Sequence, residues 1–132
     1  MADQANQKKI LFVDDDKFLL DMYALKFTKA GYEVKTADSA EAATTLLKGG
    51  FAPNAMLVDI VMPGTDGLDF VSSIRSARLA PDAAIIMLTN QSASDDIARS
   101  KKLGIDGFVV KATTIPSEVL SEVEKMMATK KN

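Results

Sequence analysis

Residues 10–16 read Ile-Leu-Phe-Val-Asp-Asp-Asp, so that a short apolar run passes directly into three consecutive aspartates. A continuous apolar run of this length is typical of a strand in a parallel sheet, where helices cover both faces. Asp16 has the residue type and position of a helix N-cap, and apolar residues then recur at helical spacing as far as Ala30. The stretch therefore predicts the first strand-turn-helix unit of an α/β fold.

The same alternation of strand and helix continues along the chain. Five strands are predicted: Ile10–Val13, Tyr32–Ala37, Ala55–Asp59, Ala84–Thr89 and Gly107–Val110. The predicted helices are Asp16–Ala30, Ser39–Lys48 behind a capping box at Asp38–Glu41, a segment after Asp66-Gly67, a segment opened by Ser92–Asp95 that runs to about Leu103, and a segment with Pro116 in its first turn. The second strand alternates between apolar and polar residues, which suits an edge strand. Five such units predict an open parallel sheet with helices on both faces, because a closed barrel needs eight.

Composition and charge describe one globular domain and exclude several chemistries. The chain has 132 residues, of which 47% are hydrophobic and 26% charged, and its formal net charge is −2. These values fit a single domain and give no basic footprint for direct nucleic-acid binding. The absence of cysteine and histidine excludes disulfides, thiol catalysis, Cys/His zinc sites and a phosphohistidine on this chain. No secretory leader or membrane-spanning run is apparent, so we expect a cytoplasmic protein without membrane contact. We expect the domain at residues 9–128, with tails at 1–8 and 129–132.

Four of the five predicted strands end in polar residues. Asp14 and Asp15 follow the first strand, Asp59 and Thr89 end the third and fourth, and Lys111 follows the fifth. The carboxyl ends of parallel strands meet at one edge of the sheet, which is where ligands bind in open α/β folds. Taken singly, each residue has an ordinary structural explanation, since an aspartate after a strand is usually an N-cap. The set as a whole points to a binding site.

Three carboxylates in one cleft need a counter-charge. Two of them about 4 Å apart repel by roughly 4 kcal/mol at an effective dielectric near 20. Lys111 can supply part of the counter-charge, and Mg²⁺ suits a site of a few carboxylates, water and phosphoryl oxygens. With Mg²⁺ on Asp14, Asp15 and Asp59, one carboxylate oxygen remains as a nucleophile. Thr89 and Lys111 are then placed to contact the oxygens of a transferring phosphoryl group, so the set predicts an aspartyl-phosphate site.

In order and spacing, these motifs resemble the signature of the receiver domains of two-component response regulators, especially the single-domain regulators of the chemotaxis type. The matching motifs, within a match from about Lys9 to Met127, are Val13-Asp14-Asp15, Val58-Asp59, Met62-Pro63-Gly64-Thr65-Asp66-Gly67, Leu88-Thr89 and Val110-Lys111. The resemblance implies a flavodoxin-like (βα)5 three-layer sandwich with strand order 2-1-3-4-5. It implies Asp59 as the phosphoacceptor, with Thr89 and Lys111 as catalytic contacts to the phosphoryl group. The Mg²⁺ ligands that it implies are Asp14, Asp15, Asp59 and the main-chain carbonyl of Val61.

The resemblance also implies how the domain signals. A sensor histidine kinase or a phosphotransfer protein would supply the phosphoryl group, and the chain would be a switch rather than a turnover enzyme. Thr89 and Phe108 occupy the switch positions of the family. The face formed by the fourth helix, fifth strand and fifth helix would contact a downstream protein, and the chain would be a monomer or a weak dimer through that face.

Three residues depart from the usual pattern of the family. Val61 has no polar group to orient a hydrolytic water, so we expect slow self-dephosphorylation. Asn90 stands where the family usually has a small residue, and Ala112 stands where it usually has a proline. A cis peptide bond before a non-proline residue is costly, and we expect a trans bond or a reshaped loop before Ala112.

Two other functions remain open from the sequence. A receiver-like binding module that is never phosphorylated would share the fold and the site residues, and only Asn90 and Ala112 favour it. A haloacid dehalogenase-type phosphohydrolase would use Asp14 as nucleophile and Asp16 as acid/base, but that family also has an acidic pair after the lysine strand, where this chain has Ala-Thr-Thr. Flavin binding by a flavodoxin-like fold is disfavoured, because the aspartates after the first strand would repel a phosphate.

Overall fold

The computed structural model describes residues 7–89, 94–111 and 114–130, which alternate between strand and helix. The strands are β1 (Lys9–Val13), β2 (Glu33–Ala37), β3 (Ala55–Asp59), β4 (Ala84–Thr89) and β5 (Gly107–Val110). The helices are α1 (Lys17–Lys29), α2 (Ala40–Lys48), α3 (Gly67–Ser76), α4 (Ser94–Lys102) and α5 (Pro116–Lys130). The strands form one parallel sheet in the order β2-β1-β3-β4-β5, which confirms the predicted order.

The side chains of the central strands divide between two cores, one on each face of the sheet. β1, β3 and β4 are almost wholly buried, as their continuous apolar runs predict. Because side chains alternate along a strand, Leu11 and Val13 pack with α2 and α3, whereas Ile10 and Phe12 pack with α1 and α5. β2 lies at the sheet edge and is only partly buried, which confirms the prediction of an edge strand. The result is the predicted three-layer sandwich.

The ends of α1 follow the sequence signals. The side chain of Asp16 accepts hydrogen bonds from the amides of Phe18 and Leu19, so Asp16 is the predicted N-cap. Gly31 follows the C-terminal end of α1 with φ +97°, a left-handed conformation that favours glycine. These two caps fix the direction in which the chain enters α1 after β1 and leaves it for β2.

Three other helix ends need comment. The capping box predicted at Asp38 is wrong by one residue, because Ser39 is the N-cap of α2 and its Oγ accepts the amide hydrogen of Ala42 at 3.1 Å. α5 continues to Lys130, two residues beyond the end predicted for the domain. The predicted opening of α4 at Ser92 lies outside the described residues.

The register of the sheet brings the predicted site residues to one edge. The β1–β3 ladder places Asp14 beside Asp59, since the residues that precede them are paired. The β4–β5 ladder ends at Thr89, and Lys111 follows directly on the β5 side. The first residue of α3, Gly67, packs so closely on the end of β3 that a Cβ there would overlap the carbonyl oxygen of Asp59. The backbone of Asp59 is therefore held on both sides, by strand pairing and by α3.

Candidate functional site

Lys111 joins the two most buried carboxylates at the carboxyl edge of the sheet. Asp14 is fully buried and Asp59 is 4% exposed. The Nζ atom of Lys111 lies 2.9 Å from Asp14 Oδ2 and 3.3 Å from Asp59 Oδ2. Buried charges are costly unless they are paired, so these contacts hold the three groups in fixed positions at the ends of β1, β3 and β5. The structure thus brings together residues that the strand-end pattern selects.

The site carries more negative charge than its lysine neutralises. Burial, and then the charge of Asp14, raise the pKa of Asp59 from 3.8 to about 6, although Lys111 and a hydrogen bond from the Val61 amide act in the opposite direction. That hydrogen bond is long, with 3.4 Å between the Val61 nitrogen and Asp59 Oδ1. Burial alone would lower the pKa of Lys111, but its contacts with Asp14 and Asp59 outweigh burial and raise the pKa. The pKa of Asp59 is thus raised mainly by burial, and that of Lys111 by its two carboxylate partners.

A third carboxylate, Asp15, completes a group that fits a divalent cation. One carboxylate oxygen from each of Asp14, Asp15 and Asp59 lies within 4.8 Å of the others. Oxygens on opposite sides of an octahedral Mg²⁺ are about 4.2 Å apart, so small side-chain adjustments bring these three into range. The buried Asp14 Oδ2 accepts no hydrogen bond from the described residues and has only its ion pair with Lys111. Asp15 is exposed, so the group is open to solvent on one side.

Three further predicted residues surround this group at different depths. Thr89 is 9% exposed at the end of β4, whereas Val61, two residues after Asp59, is 69% exposed. Phe108 is half-buried and packs against the core on the α2–α3 face. Asn90 and Ala112, at which the sequence departs from the receiver pattern, lie outside the described residues.

One neighbour of the site is absent from the predicted set. Tyr23 of α1 is 2% exposed and stacks on Phe12, with 5.4 Å between the ring centroids. Burial raises the pKa of the Tyr23 hydroxyl. The charge of Lys111 lowers this pKa, and the charge of Asp14 raises it. The sequence places Tyr23 on the buried stripe of α1, which identifies it as core and gives no sign that it borders the charged cluster.

Comparison with known proteins identifies the family. The family described as the response regulator receiver domain matches residues 10–124. The chain belongs to this family. Among curated relatives of this receiver domain, the phosphate regulon transcriptional regulatory protein PhoB of Pseudomonas aeruginosa is 28% identical over 120 residues, which are 91% of this chain and 52% of PhoB. The chain thus spans about half the length of the curated relatives that it matches.

Solved structures show the same fold. The chemotaxis protein CheY4 of Vibrio cholerae has a TM-score of 0.82 at 28% sequence identity, over 91% of this chain and 98% of that chain. A CheY-like response regulator receiver domain protein from Methanospirillum hungatei has a TM-score of 0.85 at 26% identity, over 95% of this chain and 97% of that chain. The flavodoxin-like fold that the sequence predicts is therefore confirmed.

Membership of the receiver family gives the site a general role. Receiver domains are signalling modules rather than turnover enzymes, and they interact with histidine kinases or phosphotransfer proteins. They bind Mg²⁺ at an acidic pocket, and the cluster of Asp14, Asp15 and Asp59 is an acidic group of that kind. Within the described ranges, no helix has both the length and the apolar character needed to cross a membrane.

Proposed function

We propose that the chain is a phosphorylation-dependent signalling switch of a two-component system, with Asp59 as the phosphoacceptor. The observation that carries this proposal is the bridging of Asp59 and Asp14 by Lys111, in a cluster whose carboxylate oxygens lie within 4.8 Å of one another. A lysine held by two buried carboxylates stays beside Asp59 when the charge there changes. The match to the receiver family supports the same role.

Phosphoryl transfer to this site requires an ionised Asp59. One carboxylate oxygen attacks the phosphorus of a phosphohistidine, so that a P–O bond forms as the P–N bond breaks and its electron pair leaves with the imidazole. Even with its pKa raised to about 6 by burial and the charge of Asp14 in the metal-free site, Asp59 is ionised at neutral pH and can act as the nucleophile. Lys111 neutralises the phosphoryl oxygens that gain charge, and Thr89 donates a hydrogen bond to them.

The metal proposed for the site is Mg²⁺, held by Asp14, Asp15, Asp59 and the main-chain carbonyl of Val61. When bound by these residues, Mg²⁺ would supply positive charge that offsets the charge of the phosphoryl oxygens. The carboxylates of the cluster outnumber its lysine, so an incoming phosphoryl group adds charge to a cleft that is already negative. We therefore expect phosphorylation to depend on a divalent cation.

We propose that phosphorylation of Asp59 changes the outer surface of the domain through Thr89 and Phe108. Phosphorylation adds about −1.5 to −2 charge and three acceptor oxygens. Thr89 ends β4, and Phe108 on the neighbouring strand is only half-buried. Movement of Thr89 towards the phosphoryl group would leave space that the ring of Phe108 can fill. In this proposal a sensor histidine kinase or phosphotransfer protein supplies the phosphoryl group. The face of α4, β5 and α5 contacts a downstream protein. The chain is a monomer, or a weak dimer through that same face.

Intact-mass spectrometry after incubation with Mg²⁺ and a small acyl phosphate tests the assignment of Asp59. We expect one added phosphoryl group on the wild type, none on Asp59→Asn, and none when a chelator removes the metal. Asp82→Asn is the matched control, because Asp82 is exposed in the turn before β4 and the chemical change is identical. No mass gain on the wild type, or a gain that persists in Asp59→Asn, would contradict the proposal. Turnover of phosphomonoesters that is lost in Asp14→Asn and retained in Asp59→Asn would indicate a phosphohydrolase instead.

A further inference from the structure

Few of the α4 side chains that the structure describes, those of residues 98–102, are buried. Among its described side chains only Ser100 is fully buried, whereas Lys101 and Lys102 are exposed. Apolar packing resumes after the helix, where Leu103 and Ile105 contact the core on the α2–α3 face. Burial of apolar surface usually holds a surface helix in place. Residues 98–102 contribute no buried apolar side chain, so along this part of α4 polar contacts have the larger share in holding the helix.

One arginine joins α4 to α3, and a second joins α3 to the turn after α4. Arg99 of α4 reaches the start of α3, with Nη1 3.8 Å from Asp66 Oδ2 and Nη2 3.4 Å from Asp69 Oδ1. Arg75, in the last turn of α3, donates a hydrogen bond from Nη2 to the carbonyl oxygen of Gly104 at 3.0 Å. The guanidinium group of Arg99 thus lies between two carboxylates, and both belong to the segment that leads from the end of β3 into α3.

The carboxylate of Asp66 is hydrogen-bonded to the backbone at the start of α3, close to Asp59. Asp66 is the N-cap of α3, and its Oδ1 accepts the amide hydrogen of Asp69 at 2.8 Å. Gly67 donates its amide hydrogen to the carbonyl oxygen of Ile60 at 2.8 Å, and its missing side chain lets it sit directly against Asp59. The start of α3, which carries Asp66 and Asp69, is thus in direct backbone contact with Asp59 and Ile60.

We propose that Arg99, Asp66 and Asp69 form an electrostatic link that holds α4 on the first turn of α3 and couples the loop after Asp59 to the position of α4. The coupling step rests on the proposed phosphorylation of Asp59, whereas the holding step does not. This route is separate from the one through Thr89 and Phe108, because it runs over the α3–α4 surface and uses no residue of β5.

The exposure of the link determines its strength. Side-chain exposures are 49% for Arg99, 35% for Asp66 and 65% for Asp69, and ion pairs this exposed stabilise weakly and are screened by salt. Loss of one such link changes the population of a displaced helix by roughly two- to five-fold. A weak link suits a switch, since a helix held strongly would not respond to a change at Asp59.

Hydrogen exchange of the α4 amides in the full chain tests the holding step. At an ionic strength of about 0.01 M, we expect Arg99→Gln to raise exchange in α4 by roughly two- to five-fold and to leave α1 unchanged. At about 1 M, where the Debye length falls to about 3 Å, the wild type should exchange as fast as Arg99→Gln. Lys101→Gln is the matched control. Lys101 lies two residues after Arg99, is exposed, and forms no ion pair with any residue that the structure describes. Equal exchange in wild type and Arg99→Gln at low salt, or an equal rise in Lys101→Gln, would overturn the link.

A second measurement tests the coupling step. With Mg²⁺ and an acyl phosphate present, the change in α4 exchange that accompanies phosphorylation should be smaller in Arg99→Gln than in the wild type, at equal phosphorylation by mass. An identical change in both proteins would overturn the coupling. Absence of phosphorylation on the wild type would overturn the proposed function and the coupling with it, while the salt-dependent comparison would still decide whether Arg99 holds α4.

Discussion

Replacing Asp59 with asparagine is expected to stabilise the metal-free protein at neutral pH, by an amount that disappears in acid. Asparagine has the size of aspartic acid and carries no charge, so Asp59→Asn resembles the protonated residue. In the folded protein, burial and the charge of Asp14 disfavour the ionised form, and the pKa of Asp59 is raised from 3.8 to about 6. Folding therefore favours the uncharged side chain at this position.

The size of the effect follows from the change in pKa. One pKa unit corresponds to about 1.4 kcal/mol, so the rise from 3.8 to about 6 corresponds to about 3 kcal/mol. Because the folded pKa is raised, the stability contributed by protonated Asp59 is fully present below pH 3.8 and is lost as the pH rises through about 6. The wild type should match Asp59→Asn near about pH 4 and be less stable by about 3 kcal/mol at about pH 7.5.

Urea unfolding with a chelator present, at several pH values between about 5 and 8, gives the two free energies of unfolding. The Asp82→Asn control should differ from the wild type by an amount that does not change over this range, because Asp82 is exposed. Saturating Mg²⁺ should reduce the advantage of Asp59→Asn, because metal that binds only the folded state stabilises the wild type. A difference that stays constant between about pH 5 and 8, or an asparagine variant less stable than the wild type at about pH 7.5, would refute the reasoning.

Three further predictions concern the neighbours of Asp59. Lys111→Met should destabilise the metal-free protein by about 3 kcal/mol, because it leaves two buried carboxylates unpaired. Urea unfolding should show a smaller loss of stability when the same change is made in Asp59→Asn. Equal losses in both backgrounds would contradict the shared ion pair. Gly67→Ala should cost roughly 1–3 kcal/mol of stability, because its Cβ would overlap the Asp59 carbonyl oxygen, and a thermal shift no larger than that of Gly49→Ala, where φ is −76°, would argue against this packing. Val61→Asn should shorten the lifetime of the phosphorylated protein, because the amide can orient a water that valine cannot. Mass spectrometry at intervals after removal of the donor measures this lifetime, and an unchanged lifetime would contradict the prediction.

The sequence was sufficient to place the strands and the backbone positions of the site. Ala55–Asp59 is apolar until its last residue, and the observed strand has the same bounds. The pattern places the residues after parallel strands at one edge of the sheet, and the strand order implied by the resemblance to receiver domains makes Asp14 and Asp59 neighbours there. The cap of α2 was harder to predict, because Asp38 and Ser39 are both good N-cap residues. Only the three-dimensional path of the chain decides which side chain reaches a free amide.

Contacts between distant side chains had no local signal. Nothing in the sequence around Arg99 indicates that it lies between Asp66 and Asp69, which are 33 and 30 residues away. The bridging of two carboxylates by Lys111 is likewise set by the direction of a long side chain across the sheet edge. Periodicity predicts which face of an element is buried. It does not predict which partner a charged group finds there.

The energies at the two ends of the proposed α3–α4 route are unequal. The rise in the pKa of Asp59 corresponds to about 3 kcal/mol of folding free energy at neutral pH in the metal-free protein, whereas an exposed ion pair of the Arg99 type contributes at most about 1 kcal/mol. A change of about 3 kcal/mol shifts a two-state equilibrium roughly 100-fold, so a modest fraction of it, if transmitted, exceeds what Arg99 contributes to holding α4. Transmission has to pass Gly67, where α3 meets the carbonyl of Asp59 without an intervening side chain. Burial of Asp59 raises the energy of its charged carboxylate, and we expect the backbone contact at Gly67 to pass part of a change there on to α3.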